Sequence, residues 1–293
     1  MLTITEKNNP HTMDIDLADG RKIAELINNE DMKIAVAVQK IVPQIGDAID
    51  QIAARMRTGG RMAYFGSGTS GRIGILDASE MPPTFGVSND LIQGYISGGE
   101  KALRYAVENA EDSTQLAEED FKTFNPQPND VVVAISASGN PMYGVKVLEL
   151  ARQRKLLTIA LTSNPDAALK PYADIFLCPI VGPEVLVGSS RMKAGTAQKM
   201  VLNMLSTGAM ICLGKAYHNY MIDLQISNAK LRERARRFVC EITGANEKDA
   251  QIALDEAKNV AVSCVMINKK CDKNMAQKIL EKHHGILRNV LQK

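Results

Sequence analysis

Short uninterrupted apolar runs alternate along much of the chain with stretches in which apolar residues return every third or fourth position. Such a pattern predicts buried strands separated by helices. Residues 1–20 have no periodicity and carry Pro10 and Gly20, so they are expected to form an extended arm. Helical spacing follows over Arg21 to Asn29 and Met32 to Met56, where Ile34, Val38, Ile41, Ile45, Ile49 and Ile52 mark one buried face that Pro43 should kink or split. Five strands are expected: Arg61 to Phe65, Leu91 to Ser97, Asp130 to Ser136, Leu156 to Leu161 and Ile175 to Pro179. The third is apolar without alternation, as a strand covered on both faces should be. Between and after them, helices are predicted from Lys101 to Phe121, Tyr143 to Arg154, Ala194 to Tyr217 and Asn219 to Glu241. Alternating strands and helices give an α/β fold, a doubly wound five-stranded parallel sheet with right-handed crossovers. The last fifty or so residues read as short helices over 247–258, 259–269, 273–283 and 286–291, a small C-terminal helical bundle. The expected organisation is an arm with helices (1–57), a sheet domain (58–240) and that bundle (241–293).

Two of the strands run into loops rich in small hydroxyl residues. After the first comes G-S-G-T-S-G at 66–71, and after the third S-A-S-G-N-P at 136–141. A strand, a Gly/Ser loop and a helix start together aim backbone N–H groups and hydroxyls at one point beside the positive end of a helix, where an anion is stabilised. No Gly-Lys-Ser/Thr follows the glycines, so the nucleoside-triphosphate loop is excluded and a monophosphate ester fits better. In the strand order 2-1-3-4-5, strands 1 and 3 are neighbours, and ligands bind in the crevice at their carboxyl ends. The candidate phosphate ligands are therefore Ser67, Thr69, Ser70, Ser136 and Ser138, with Gly68 and Gly139 offering backbone N–H groups. Each loop taken alone could also be an ordinary turn.

Composition narrows the classes of function. The 293 residues carry a net charge of +2, which leaves no basic footprint for a nucleic acid. The basic cluster Arg232, Arg234, Arg236 and Arg237 is explained by a solvated face balanced by acidic neighbours. Cysteines at 178, 212, 240, 264 and 271 form no C-x-x-C and suit a reducing compartment. The most apolar stretch, Ala194 to Leu213, is interrupted by Gln198, Lys199 and Asn203, so no membrane span is expected. The polar start of the chain does not resemble an export signal, and a cytoplasmic protein is the expectation. The long apolar helix over 194–217 should be buried in a large core or in the contact of a homodimer.

No metal site and no cofactor are expected. His11, His218, His283 and His284 lack ligand-like neighbours, and G-S-G-T-S-G is not the G-x-S-x-G of a serine hydrolase. Carboxylates, hydroxyls, and Lys193 or Arg191 remain as the chemical tools. Glu111 lies among Glu108, Asp112, Glu118 and Glu119, which by itself marks a solvated surface.

Three longer strings carry a resemblance: D-A-S-E-M-P-P-T-F-G at 77–86, V-E-N-A-E-D at 107–112 and G-S-S-R-M-K-A-G-T-A-Q-K at 188–199. With the opening T-E-K-N-N-P and the C-terminal bundle, they resemble the N-acetylmuramic acid 6-phosphate etherases, built on a sugar isomerase (SIS) type phosphosugar-binding fold. The chain departs at Met81 and Ser190, where cysteine and threonine are more usual, and neither change removes a group the chemistry needs. The resemblance implies a sugar phosphate as partner and cleavage of the ether joining D-lactate to carbon 3. It also implies Glu80 as proton donor and Glu111 as the second catalytic carboxylate. Lys193 either neutralises the phosphate or the lactyl carboxylate, or is a surface lysine. An aldose-ketose isomerase and a sugar-phosphate-binding regulator without catalysis, resembling the glucokinase regulatory proteins, are the alternatives.

Overall fold

A computed structural model describes residues 3–291 and divides them into two compact units. One holds the residues up to Ser79 together with Asp90–Ser206, and the other holds Glu80–Asn89 with the residues from Thr207 onward.

The first unit opens with an arm that carries two short 3-10 helices, Ile4–Glu6 and Ile15–Leu17. Helix α1 (Gly20–Gln39) starts where the Asp19 carboxylate accepts from the N–H of Lys22, and α2 (Val42–Arg57) starts with Pro43 in its first turn. Pro43 therefore splits the expected helical stretch, because proline has no N–H to give and fits best at a helix start. Strand β1 (Met62–Gly66) leads into α3 (Gly68–Ser79), and α4 (Met81–Phe85) follows at once in the second unit. Then come β2 (Ile92–Ile96), α5 (Gly99–Arg104), a 3-10 turn at Ala110–Asp112 and α6 (Thr114–Phe124). The helix expected over 101–121 is thus broken. Asn109 takes a left-handed backbone (φ 60°), and the Ser113 hydroxyl accepts from the N–H of Leu116 to start a new helix. Strand β3 (Val131–Ile135), α7 (Met142–Gln153), β4 (Leu157–Leu161), β5 (Ile175–Leu177) and the long α8 (Lys193–Cys212) complete the order.

The sheet runs β2-β1-β3-β4-β5, all parallel, as the alternation of elements implied. Every residue of β1, β3 and β4 is buried. Removing a Val, Leu or Ile side chain from water contributes roughly 1.5–3 kcal/mol, which is why these strands need no polar alternation. Phe65 stacks on Tyr95 at 4.8 Å within this core. At the amino edge, buried Asp130 holds β1 to β3 by accepting from the Arg61 backbone N–H (2.7 Å) and its guanidinium (2.6 Å). On α8, Ala194, Ala197, Val201, Leu202 and Leu205 are fully buried, so this part of the helix is core within the chain itself.

In the second unit, two-residue strands β6 (Ala216–Tyr217) and β7 (Tyr220–Met221) pair antiparallel where helix was expected from Asn219. Helix α9 (Ala229–Thr243) begins only after Asn228, whose side chain accepts from the N–H of Leu231. Helices α10 (Glu247–Ala257), α11 (Val260–Lys269) and α12 (Lys273–Lys282) start the same way, behind Asn246, Asn259 and Asp272, and α13 (Leu287–Leu291) follows. Phe238, Val239, Leu254, Cys264, Val265 and Leu280 form the core of this helical unit. Among the described residues, no helix is long and apolar enough to cross a membrane.

Candidate active site

Parallel pairing sets Gly66, the last residue of β1, opposite Ile135, the last of β3. The two hydroxyl-rich loops thus leave the sheet side by side at its carboxyl edge, where adjacent strands stand only about 5 Å apart. They open into one cavity of about 380 Å³ lined by Ser67, Gly68, Thr69, Ser70, Ser136 and Ser138 and, from the 3-10 turn after α5, by Glu111. All its lining residues belong to the sheet unit.

Ser67 precedes α3, and the N–H of Gly71 closes the first turn on its carbonyl at 3.3 Å. That leaves the N–H groups of Gly68, Thr69 and Ser70 in the unpaired first turn of the helix, beside the cavity, where the helix dipole favours an anion. Ser97 donates to Ser67 Oγ at 2.8 Å, so that bond uses an oxygen lone pair and not the Ser67 proton. The Gly139 N–H likewise donates to Ser136 Oγ (3.0 Å) and the Asn140 N–H to Ser138 Oγ (3.4 Å). In each case the hydroxyl proton remains to be given to an oxyanion.

Two expected ligands are used differently. Ser70 is buried and donates its hydroxyl to Gln198 Oε1 at 3.0 Å, which leaves its backbone N–H as the group to offer. Gly139 is absent from the cavity lining and its N–H is spent on Ser136, so it shapes the turn instead. Its backbone is left-handed (φ 70°), and a Cβ there would lie 2.3 Å from Ala167 Cβ. Only glycine fits.

Lys193 also lies outside the lining. It is 1% exposed, and its ammonium sits 2.6 Å from Glu30 Oε2. Burial works to raise the Glu30 carboxyl, but hydrogen bonds from Lys193, Lys33 and Asn9 together hold it down at about 2. The Lys193 charge is thereby neutralised inside the fold. Glu184 accepts from the backbone N–H groups of Lys193 and Ala194, both at 2.9 Å, and fastens the start of α8. Burial still pushes its carboxyl above the usual range.

Glu111 is exposed at the mouth of the cavity, and a second, smaller hollow of about 180 Å³ shares Ser67, Gly68 and Glu111 with the first. Glu80 immediately follows α3, precedes α4 and is exposed within the second unit. Four further lining residues, Thr5, Glu6, Gly188 and Ser190, are not among the expected site residues, because nothing in the spacing of the arm or of the loop between β5 and α8 signals a wall. Tyr143 reaches the cavity too, but its hydroxyl donates to Asp120 at 2.6 Å, and burial first, then Asp120, drive its pKa far up.

Gly66, Gly68 and Gly71 do stand at G-x-G-x-x-G spacing. A dinucleotide loop would need an acidic residue at the end of the second strand to read a ribose. Here β2 ends in Ile96 and Ser97, and Ser97 points its hydroxyl at Ser67. Among the described residues, no group of three or more His, Cys, Asp or Glu side chains could hold a metal ion.

Comparison with known proteins shows the family of the chain. Residues 113–208 match the family described as SIS domain, and residues 44–152 the glucokinase regulatory protein N-terminal SIS domain. An N-acetylmuramic acid 6-phosphate etherase of Caldanaerobacter subterraneus is 50% identical over 97% of this chain and 93% of its own. One from Actinobacillus pleuropneumoniae serotype 5b is 45% identical over 98% of this chain and 95% of its own. The chain belongs to the N-acetylmuramic acid 6-phosphate etherase family. Among solved structures, a phosphoheptose isomerase of Neisseria gonorrhoeae superposes with a TM-score of 0.50 at 16% identity, covering 64% of this chain and 97% of that one. At that identity the likeness speaks for the sheet-and-helix fold of this etherase-family chain and for nothing finer.

Proposed function

We propose that the chain is a carbon-oxygen lyase that cleaves the D-lactyl ether of N-acetylmuramic acid 6-phosphate, giving N-acetylglucosamine 6-phosphate and D-lactate. The observation that carries this reading is the shared cavity, where two hydroxyl-bearing turns and Glu111 meet in a chain whose relatives at 45–50% identity bear that name.

The phosphate lies between Ser67–Ser70 and Ser136–Ser138, taking hydroxyl protons from Ser67, Thr69, Ser136 and Ser138 and N–H groups from the first turn of α3. No charged ligand from Lys193 is included. Once the pyranose opens, the aldehyde acidifies the proton on carbon 2, and a carboxylate removes it. The resulting enolate expels the lactyl oxygen from carbon 3 as an acid protonates it, releasing D-lactate and an unsaturated aldehyde. Water then adds to carbon 3, carbon 2 regains a proton, and the ring closes. Each proton transfer contributes about 10²- to 10⁴-fold. Glu80 as donor and Glu111 as second carboxylate follow from the family resemblance.

The proposal includes a homodimer in the cytoplasm, serving the breakdown of cell-wall sugar. Exposed Ile180, Leu186 and Val187, about half accessible in one loop, support a subunit contact there. A solution mass equal to one chain would remove that part. The activity is tested by incubating purified protein with N-acetylmuramic acid 6-phosphate and assaying D-lactate. Release is expected; tight binding of the sugar phosphate with no product would favour a sensor instead.

A further inference from the structure

The N-terminal arm is bonded along the loop that closes one side of the cavity. The Gly188 N–H donates to the Thr5 carbonyl (3.1 Å), Asn9 Nδ2 to the Pro183 carbonyl (3.3 Å) and Thr12 Oγ1 to the Val185 carbonyl (2.8 Å). Thr5, Asn9 and Thr12 are all buried, so this polar stretch is held as structure. Between those anchors Glu6 stays exposed and lines the cavity. A Cβ on Gly188 would fall 2.9 Å from Glu6 Oε2 and 3.3 Å from Oε1, so the carboxylate lies directly against that glycine and any side chain there would displace it.

Two facts about charge define what Glu6 can do. Among the described lining residues Glu6 and Glu111 are the only ionisable carboxylates, and no lysine, arginine or histidine stands with them. Unlike Glu30 and Glu184, which are bonded inside the fold, neither makes an ion pair or side-chain hydrogen bond among the described residues. A carboxylate beside a bound phosphate would be repelled by it, so Glu6 cannot belong to the phosphate end of the ligand. What it can recognise is the polar body of the sugar, whose hydroxyls and acetamido N–H are donors in want of an acceptor.

We propose that Glu6 is a substrate-contacting, specificity-determining carboxylate that accepts hydrogen bonds from the hydroxyl or acetamido N–H groups of the sugar while the two serine loops hold its phosphate. This rests on the sugar-phosphate reading of the same cavity. The arm thereby becomes a wall of the site, and a hydrogen bond to a charged acceptor is strong enough to set affinity.

The test compares two probes by calorimetry, N-acetylglucosamine 6-phosphate and inorganic phosphate, on wild type, Glu6→Ala and Glu6→Gln. Glu6→Ala is expected to weaken the sugar phosphate about 10- to 100-fold while leaving inorganic phosphate unchanged or tighter, with Glu6→Gln between it and wild type. Equal loss of both probes would mean that the arm merely supports the loop, and retention of both would mean that Glu6 touches nothing. Either result overturns the proposal. D-lactate release by the wild type is measured in parallel. Its absence would sink the etherase reading and leave the comparison of the two probes standing.

Discussion

The ammonium of Lys193 lies 2.6 Å from Glu30 Oε2 with both side chains almost wholly out of water. A charge buried in this way is tolerated only while its partner is present. Glu30→Gln should therefore destabilise the fold by about 3–5 kcal/mol, and Glu30→Gln with Lys193→Met should recover much of the loss. Denaturant midpoints of the two variants measure this.

The same pair gives a pH dependence. The folded Glu30 carboxyl sits at about 2, below its ordinary 4.5. Its stabilisation is thus complete above about pH 4.5 and is lost as pH falls toward 2, amounting to about 3 kcal/mol. Wild type should lose stability through that window more steeply than the Glu30→Gln, Lys193→Met protein, as urea titrations at each pH would show. Parallel curves would count against the assignment.

Ser67 and Ser136 leave neighbouring strands and face one cavity, so they should act on one phosphate. Alanine at either is expected to weaken N-acetylglucosamine 6-phosphate by about 10-fold, and the double variant should depart from additivity because both contact the same group. Strict additivity in the cycle would separate the two loops.

Glu111→Gln and Glu80→Gln should each abolish turnover while binding of the sugar phosphate persists, since an amide keeps the shape but cannot exchange the proton. Near-normal rates in either would remove that residue from the chemistry.

Gly139→Ala should cost stability and binding together. The new methyl would be driven against Ala167 Cβ at 2.3 Å from a left-handed backbone, a misfit worth about 1–3 kcal/mol. Thermal unfolding and sugar-phosphate titration of the one variant check both halves.

The sheet was legible in the sequence because its central strands are short, nearly unbroken apolar runs, buried at every residue, as strands covered on both faces should be. The two serine loops were legible for a related reason: the alternation of strands and helices implies a parallel sheet, and in the common strand order of such sheets, which is the order found, the strands that carry the loops are neighbours. Local bonds overruled periodicity elsewhere. The Ser113 cap and the left-handed Asn109 cut the helix expected across 101–121, and so Glu111 sits on a short turn at a cavity rather than on a solvated helix. Lys193 carried no sign of burial, because its partner Glu30 is 163 residues away in sequence. Glu6 was hidden for the same reason, since its place depends on the docking of the arm against Val185 and Gly188.

The most direct measurement is to run the reaction in water enriched in oxygen-18 and locate the label in both products. Elimination followed by hydration places one labelled oxygen on carbon 3 of N-acetylglucosamine 6-phosphate and none in D-lactate, which keeps the ether oxygen. Label in the lactate, or no lactate at all from the wild-type protein, would contradict the account.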